Sequence, residues 1–269
     1  MRGGSTLIRT YLEFAKKSFQ NNIVYRADYL SGVINATVMI FVNISIWRAI
    51  YSEDDMVEGV QFKMLTTYII LSFIMQCIFM MDEYLIDGKV KSGLISSDLL
   101  KPINFRLYIF SYNIGTLIFR LIMQMAPALI ISIVFFGLQP PFSISMGAYF
   151  LISIVLGYLV LYNLNFIIWI TSFWFYGSFS LVTLKDAAVM VFSGALLPLW
   201  FMPPAIADFI ALTPFKSIYF VPISIYLGSV PMDEILSNIL MQLVWVVGLF
   251  IAGQVLWSAA QKKLVIQGG

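Results

Sequence analysis

Residues 145–176 read SMGAYFLISIVLGYLVLYNLNFIIWITSFWFY, without one Asp, Glu, Lys or Arg. An apolar helix needs about 20 residues to cross the roughly 30 Å hydrocarbon core of a bilayer, so this run is long enough to span it. It is not alone: the same reading gives spans at 29–50, 63–81, within 107–137 (most apolar after Gly115), 187–201 and 235–260. Composition agrees. The 269 residues are 60% hydrophobic and 11% charged, against about 25% charged in soluble domains. The expected fold is all-α and integral to the membrane, a single transmembrane domain over 1–269 with six transmembrane helices.

Between the last two spans lies a further apolar stretch, 202–232, broken by Pro203, Pro204, Pro214 and Pro222. Proline removes a backbone donor and ends or kinks a helix. This predicts two short helices dipping into the membrane as a re-entrant pair, because non-helical backbone at that depth must be buried in protein or line a wet cavity. Residues 1–27 are different again. Ile8, Tyr11, Leu12, Ala15, Phe19 and Ile23 fall on one helical face, and Arg9, Glu13, Lys16, Lys17 and Gln20 on the other. That pattern predicts an interfacial elbow helix lying in the headgroup plane, and its interleaved charges leave no continuous apolar region for a cleavable signal peptide.

Cations set the orientation. Arg2, Arg9, Lys16, Lys17 and Arg26 precede the first span; Lys89, Lys91, Lys101 and Arg106 follow the second; Lys185 follows the fourth; Lys262 and Lys263 follow the last. The loop after the first span is acidic, with Glu53, Asp54, Asp55 and Glu58. Both termini are therefore expected on the cytoplasmic side of a cell membrane, with an even number of crossings.

Several chemistries are disfavoured. There is no histidine, and Cys77 is the only cysteine, which removes the commonest general base, the commonest metal ligand and any internal disulfide. The net charge of +2 gives no reason to expect nucleic acid. Gly88-Lys89 lacks the rest of a phosphate-binding loop. Asp28, Asp82, Glu83, Asp186 and Asp233 all fall at span ends, whereas an ion-coupled transporter usually holds an acid near the midplane. Asp82, Glu83 and Asp87 lack a second acidic cluster for a metal-dependent lipid enzyme. An ion-coupled secondary transporter and a membrane-embedded lipid-modifying enzyme remain the alternative readings.

Polar residues within spans either bond neighbouring helices or line a path for cargo. The candidates for a path are Asn35, Met39, Asn43, Gln76 and Asn163. Arg120, inside an apolar run, reads either as facing that path or as snorkelling to the headgroups. The segment 82–106 is long for a connection between adjacent helices. It mixes charge with an amphipathic pattern at Val90, Leu94, Ile95 and Leu99, which predicts a short helix docking onto a cytoplasmic partner.

Three segments together resemble the type-2 permease family of ATP-binding-cassette (ABC) transporters. The first is 22–30, with Tyr25-Arg26-Ala27-Asp28 at its centre. The second is Gly93-Leu94-Ile95 followed by Leu99-Leu100-Lys101-Pro102. The third runs from Ser193-Gly194 through Pro198, Pro203-Pro204, Leu212-Thr213-Pro214-Phe215, Tyr219 and Pro222 to Leu227-Gly228. The resemblance implies a dimer with a second, identical or different, permease, each copy docked on a separate cytoplasmic ATPase. It implies that 82–106 is the coupling loop, meeting the ATPase through Asp87, Lys89, Lys91, Leu94, Asp98 and Lys101. It implies an extracellular gate at Pro198, Pro203, Pro204 and Phe215. No cofactor is expected on this chain, since ATP and Mg would sit in the partner. The cargo would be an exported drug, peptide, lipid or other amphiphile, and the membrane a bacterial plasma membrane.

Overall fold

The long apolar runs become helices, and single glycines such as Gly115 and Gly157 do not break them. In the computed structural model, which describes residues 3–24, 26–52, 55–175 and 177–267 (side chains of 7–24, 31–52, 55–175 and 177–263), five helical stretches are long and apolar enough to cross a membrane. The side chains of Arg2, Tyr25, Arg26, Ala27, Asp28, Glu53 and Asp54 lie outside the described residues.

Contacts within the chain group it into two compact units: Met1–Met81 with Ser96–Leu138, and Asp82–Ile95 with Gln139–Gly269. The first unit holds α1 (Gly3–Val24), α2 (Arg26–Tyr51), a hairpin of β1 (Met56–Val57) and β2 (Val60–Gln61), and α3 (Phe62–Phe79). It continues, beyond the residues contributed to the second unit, with α6 (Phe105–Arg120) and α7 (Ala126–Phe136). α6 and α7 form one continuous stretch joined by a π-helical turn at Leu121–Met125. The cause is local. Pro127 has no N–H to donate and its ring crowds the carbonyl four residues earlier, and a wider turn relieves that clash.

α1 packs along α6 through small residues: the backbone of Ala15 lies against Gly115, and Ser18 Oγ is 3.0 Å from Thr116 Oγ1. Asn22 Nδ2 donates to the Ser18 carbonyl, Phe14 meets Tyr108 edge-on at 4.8 Å, and Tyr11 Oη accepts from the Asn104 N–H. Small-on-small contact brings two helix backbones close. The single apolar face read from the sequence is thereby divided in two. Tyr11, Ala15 and Phe19 are at least half-buried, whereas Ile8 and Leu12 remain exposed. Arg120 Nη1 donates to the Met80 carbonyl at the end of α3, placing a cation where the helix dipole is negative.

The second unit holds α4 (Leu85–Lys91), the start of α5 (Leu94–Leu99), α8 (Ile144–Thr171), α9 (Phe179–Phe192), α10 (Pro204–Ala211), α11 (Phe220–Leu227) and α12 (Met232–Gln267). The long helices α8 and α12 pack together, and α11 lies buried against α8. The proline-rich stretch does resolve into two short helices, α10 and α11, separated by a 3₁₀ turn at Phe215–Ser217.

The segment expected as a span at 187–201 differs. α9 begins at Phe179, eight residues earlier, and ends at Phe192; a separate 3₁₀ turn follows at Leu199–Phe201. Ser193 Oγ bonds back to the Val189 carbonyl, Gly194 adopts φ +83° and Pro198 blocks continuation, so the apolar run outlasts the helix.

Candidate functional site: the segment from Asp82 to Arg106 and its anchorage

The polar segment after α3 folds as two short helices. α4 ends at Lys91, and the chain reverses through Ser92 and Gly93, which takes φ +74°. Only glycine adopts that conformation without strain. α5 follows, then Lys101-Pro102, and Asn104 caps α6 by accepting the Leu107 N–H at 3.1 Å. Of the residues expected to dock a partner, the two acids turn inward. Asp87 is buried and accepts from Lys91 Nζ at 2.7 Å; Asp98 is buried and accepts from Lys101 Nζ at 2.6 Å. Each carboxylate thus steadies a lysine that is itself partly exposed. Lys89 is half-buried on α4. Leu94 is 61% exposed and Leu100, which the docking set omits, is 85% exposed. Along the chain, the exposed Leu94 and Leu100 are thus bracketed by two partly exposed lysines, Lys91 and Lys101.

A second feature anchors this segment. Glu83, two residues before α4, accepts from Lys185 Nζ of α9 at 2.6 Å. The same ammonium donates to Asn165 Oδ1 of α8 at 2.6 Å and pairs with Asp186 Oδ1 at 2.7 Å. Trp169 Nε1, one turn along α8 from Asn165, donates to the Glu83 carbonyl at 3.1 Å. All three donors of the lysine are used, which is how a cation survives burial. Burial raises the Glu83 carboxyl above its ordinary value; the Lys185 charge and hydrogen bond pull it back, and Asp186 and Asp82 push it up again.

The sign of the pH effect follows. A carboxyl whose folded value lies above its unfolded one contributes stability at low pH and loses it as pH rises through the folded value. Lys185→Met removes both lowering influences. Its thermal unfolding midpoint in detergent should climb, as pH falls from neutrality toward about 4.3, more than that of Lys185→Met/Glu83→Gln. Identical pH profiles for the two would mean that Glu83 does not feel its burial.

A family model described as ABC-2 family transporter protein matches residues 37–268, spanning segment 82–106, the lysine node and the proline-rich helices alike. The chain belongs to the ABC-2 family of transporter proteins. It is an all-α, multi-pass membrane protein and the membrane component of an ABC transporter. No curated protein matches it.

In this ABC-2 permease the residues read as path candidates fall into different settings. Asn35 and Met39 lie exposed on α2, and Asn43 Nδ2 bonds the Met39 carbonyl at 3.0 Å within that helix. Gln76 Nε2 reaches Ser72 Oγ at 3.2 Å within α3. Asn163 is buried and ties α8 to α12, its Nδ2 donating to the Val246 carbonyl at 3.4 Å. The gate candidates all belong to the second unit. Pro198 is buried at the start of its 3₁₀ turn, Pro203 and Pro204 are exposed at the start of α10, and Phe215 is half-buried against Phe192 with ring centroids 6.0 Å apart. Sequence reasoning did not single out the Glu83–Lys185–Asn165 node as a unit. Each member had an ordinary explanation, and the one available signal was an asparagine in a span eight residues after Gly157 and a lysine just beyond the next turn.

Proposed function

We propose that this ABC-2 permease is an exporter subunit that docks on a separate cytoplasmic ATPase through α4 and α5. The observation that carries the reading is the exposure of Leu94 and Leu100, which are flanked in sequence by Lys91 and Lys101, lysines whose acidic partners are buried. Leucines so exposed within a polar segment favour contact with another protein. The lysines favour a partner acidic at its rim, since rim charge steers association. In the same reading both termini are cytoplasmic, α9 with 193–201 completes a sixth crossing, α10 and α11 re-enter from the outer side, and a second permease completes the path. ATP and Mg belong to the partner. The cargo is an amphiphile such as a drug, peptide or lipid.

The test is co-purification in detergent of the chain expressed with its neighbouring genes. A soluble protein with a phosphate-binding loop should co-elute in stoichiometric amount, and a second permease in the same peak would identify a heterodimer. Leu94→Asp/Leu100→Asp should lower ATPase recovery at least tenfold, since losing two buried anchors at about 1–2 kcal/mol each exceeds the 1.4 kcal/mol of one decade. Unchanged recovery would move docking elsewhere. A chain that elutes alone, with no ATP hydrolysis, would return the ion-coupled and lipid-enzyme readings.

A further inference from the structure

Lys185 fastens more than a loop. Its three partners come from three segments: Glu83 at the entry to α4, Asn165 on α8 and Asp186 on α9, all within 2.7 Å. The Trp169 indole adds a second tie from α8 to the Glu83 backbone. Further along α8, Ser153 and Gly157 lie against the turn before α11: Ser153 Oγ donates to Gln242 Oε1 at 2.9 Å, Gln242 Nε2 donates to the Ser217 carbonyl at 2.8 Å, and Gly157 leaves no room for a side chain under the Ile218 carbonyl. From Asn165 to Ser153 is about 18 Å of unbroken helix at about 1.5 Å per residue. One stiff element thus carries the α4 anchorage at one end and the α10–α11 anchorage at the other.

We propose that Lys185 is a positioning residue that locks the entry of α4 to α8 and α9, so that a displacement of α4 moves α8 as a rod and, through Gly157 and Ser153, the segment from Pro203 to Gly228. The inference rests on the docking role given above to α4 and α5. A three-way hydrogen-bonded cation suits this task because it resists shear in every direction its oxygens define. A leucine in its place would pack but slide.

The test uses the full chain in complex with its ATPase, with Cys77→Ser as background and Leu212→Cys, at an exposed position after α10, as the reporter. The readout is the rate of maleimide labelling with and without ATP and vanadate, beside ATP hydrolysis. The complex with Lys185 intact should show an ATP-dependent change in labelling. Lys185→Met should lose that change while the ATPase still co-elutes and hydrolyses ATP, and Lys185→Arg, which keeps charge and donors, should retain it. Where Lys185→Met does not yield protein, Glu83→Gln keeps size and an acceptor oxygen and should still reduce the change. A full-size change in either variant, with the complex intact, overturns the inference. If no ATPase co-elutes even with Lys185 present, the docking reading falls, and the inference with it.

Discussion

Gly157→Val is expected to prevent the second unit from reaching its folded form. A Cβ at this position would stand 2.7 Å from the Ile218 carbonyl oxygen and 3.0 Å from that of Ser217. Both are backbone atoms of a short 3₁₀ connection, so no side chain can swing aside. Overpacking costs about 1–3 kcal/mol when neighbours can adjust. Here the neighbours are fixed at both ends, by α11 buried against α8 and by the Gln242 bond to Ser217, and a cost of about 3 kcal/mol or more is expected. Against a total stability of about 5–15 kcal/mol, that is enough to depress the yield of monodisperse protein. Gly248→Val is the control, because no atom lies within 4 Å of a Cβ placed there. Equal yields and unfolding midpoints for the two variants would show that α8 and the turn do not approach this closely.

Gln242→Leu should destabilise the same unit by about 2–4 kcal/mol, through loss of three hydrogen bonds and the burial of unmatched groups. The amide is fully buried; it accepts from Ser153 Oγ and donates to the carbonyls of Ser153 and Ser217. Side-chain bonds between membrane helices average only about 0.6 kcal/mol, which argues for a smaller effect. That average describes groups that find other partners when the helices separate. The Ser217 carbonyl lies outside a regular α-helix, and buried backbone of that kind depends on tertiary partners, so the larger figure is preferred. Protease cleavage between 203 and 228 should appear in Gln242→Leu at temperatures where the parent chain resists. Asn238→Leu on the same helix, which loses only a bond to its own Glu234 carbonyl, should leave cleavage unchanged.

Five of the long helical stretches were legible because length and hydropathy are properties of the chain alone. α9 was not. Its first turns contain Ser180, Thr183, Lys185 and Asp186, which read as a polar connection. They are helical in a structure where Glu83 and Asn165, distant in sequence, satisfy the lysine. The far end failed for the opposite reason: apolar residues continue past Phe192, but Gly194 and Pro198 end the helix. In α1, spacing identified an amphipathic helix without revealing that Ala15 and Ser18 face Gly115 and Thr116, because contacts between small residues leave no trace in hydropathy. In segment 82–106, charge marked Asp87, Lys91, Asp98 and Lys101 as surface residues alike. Burial then separated the acids from the lysines, which no count of charges does.

The chain order of the lysine node bears on how the protein is made. Glu83 and Lys185 are 102 residues apart. At about 5–20 residues per second of synthesis, the carboxylate leaves the ribosome roughly 5–20 s before its ammonium does. Trp169 follows Glu83 by 86 residues and Asn165 precedes Trp169 by one turn, so for most of that interval the entry to α4 has none of its three partners. The earliest helices therefore enter the bilayer with the entry to α4 unanchored, and it acquires its final position only when the fourth and fifth hydrophobic segments arrive. A chain ending before α9 would leave the Glu83 carboxylate without its ammonium partner, so an unfinished permease differs from the complete one at the entry to α4.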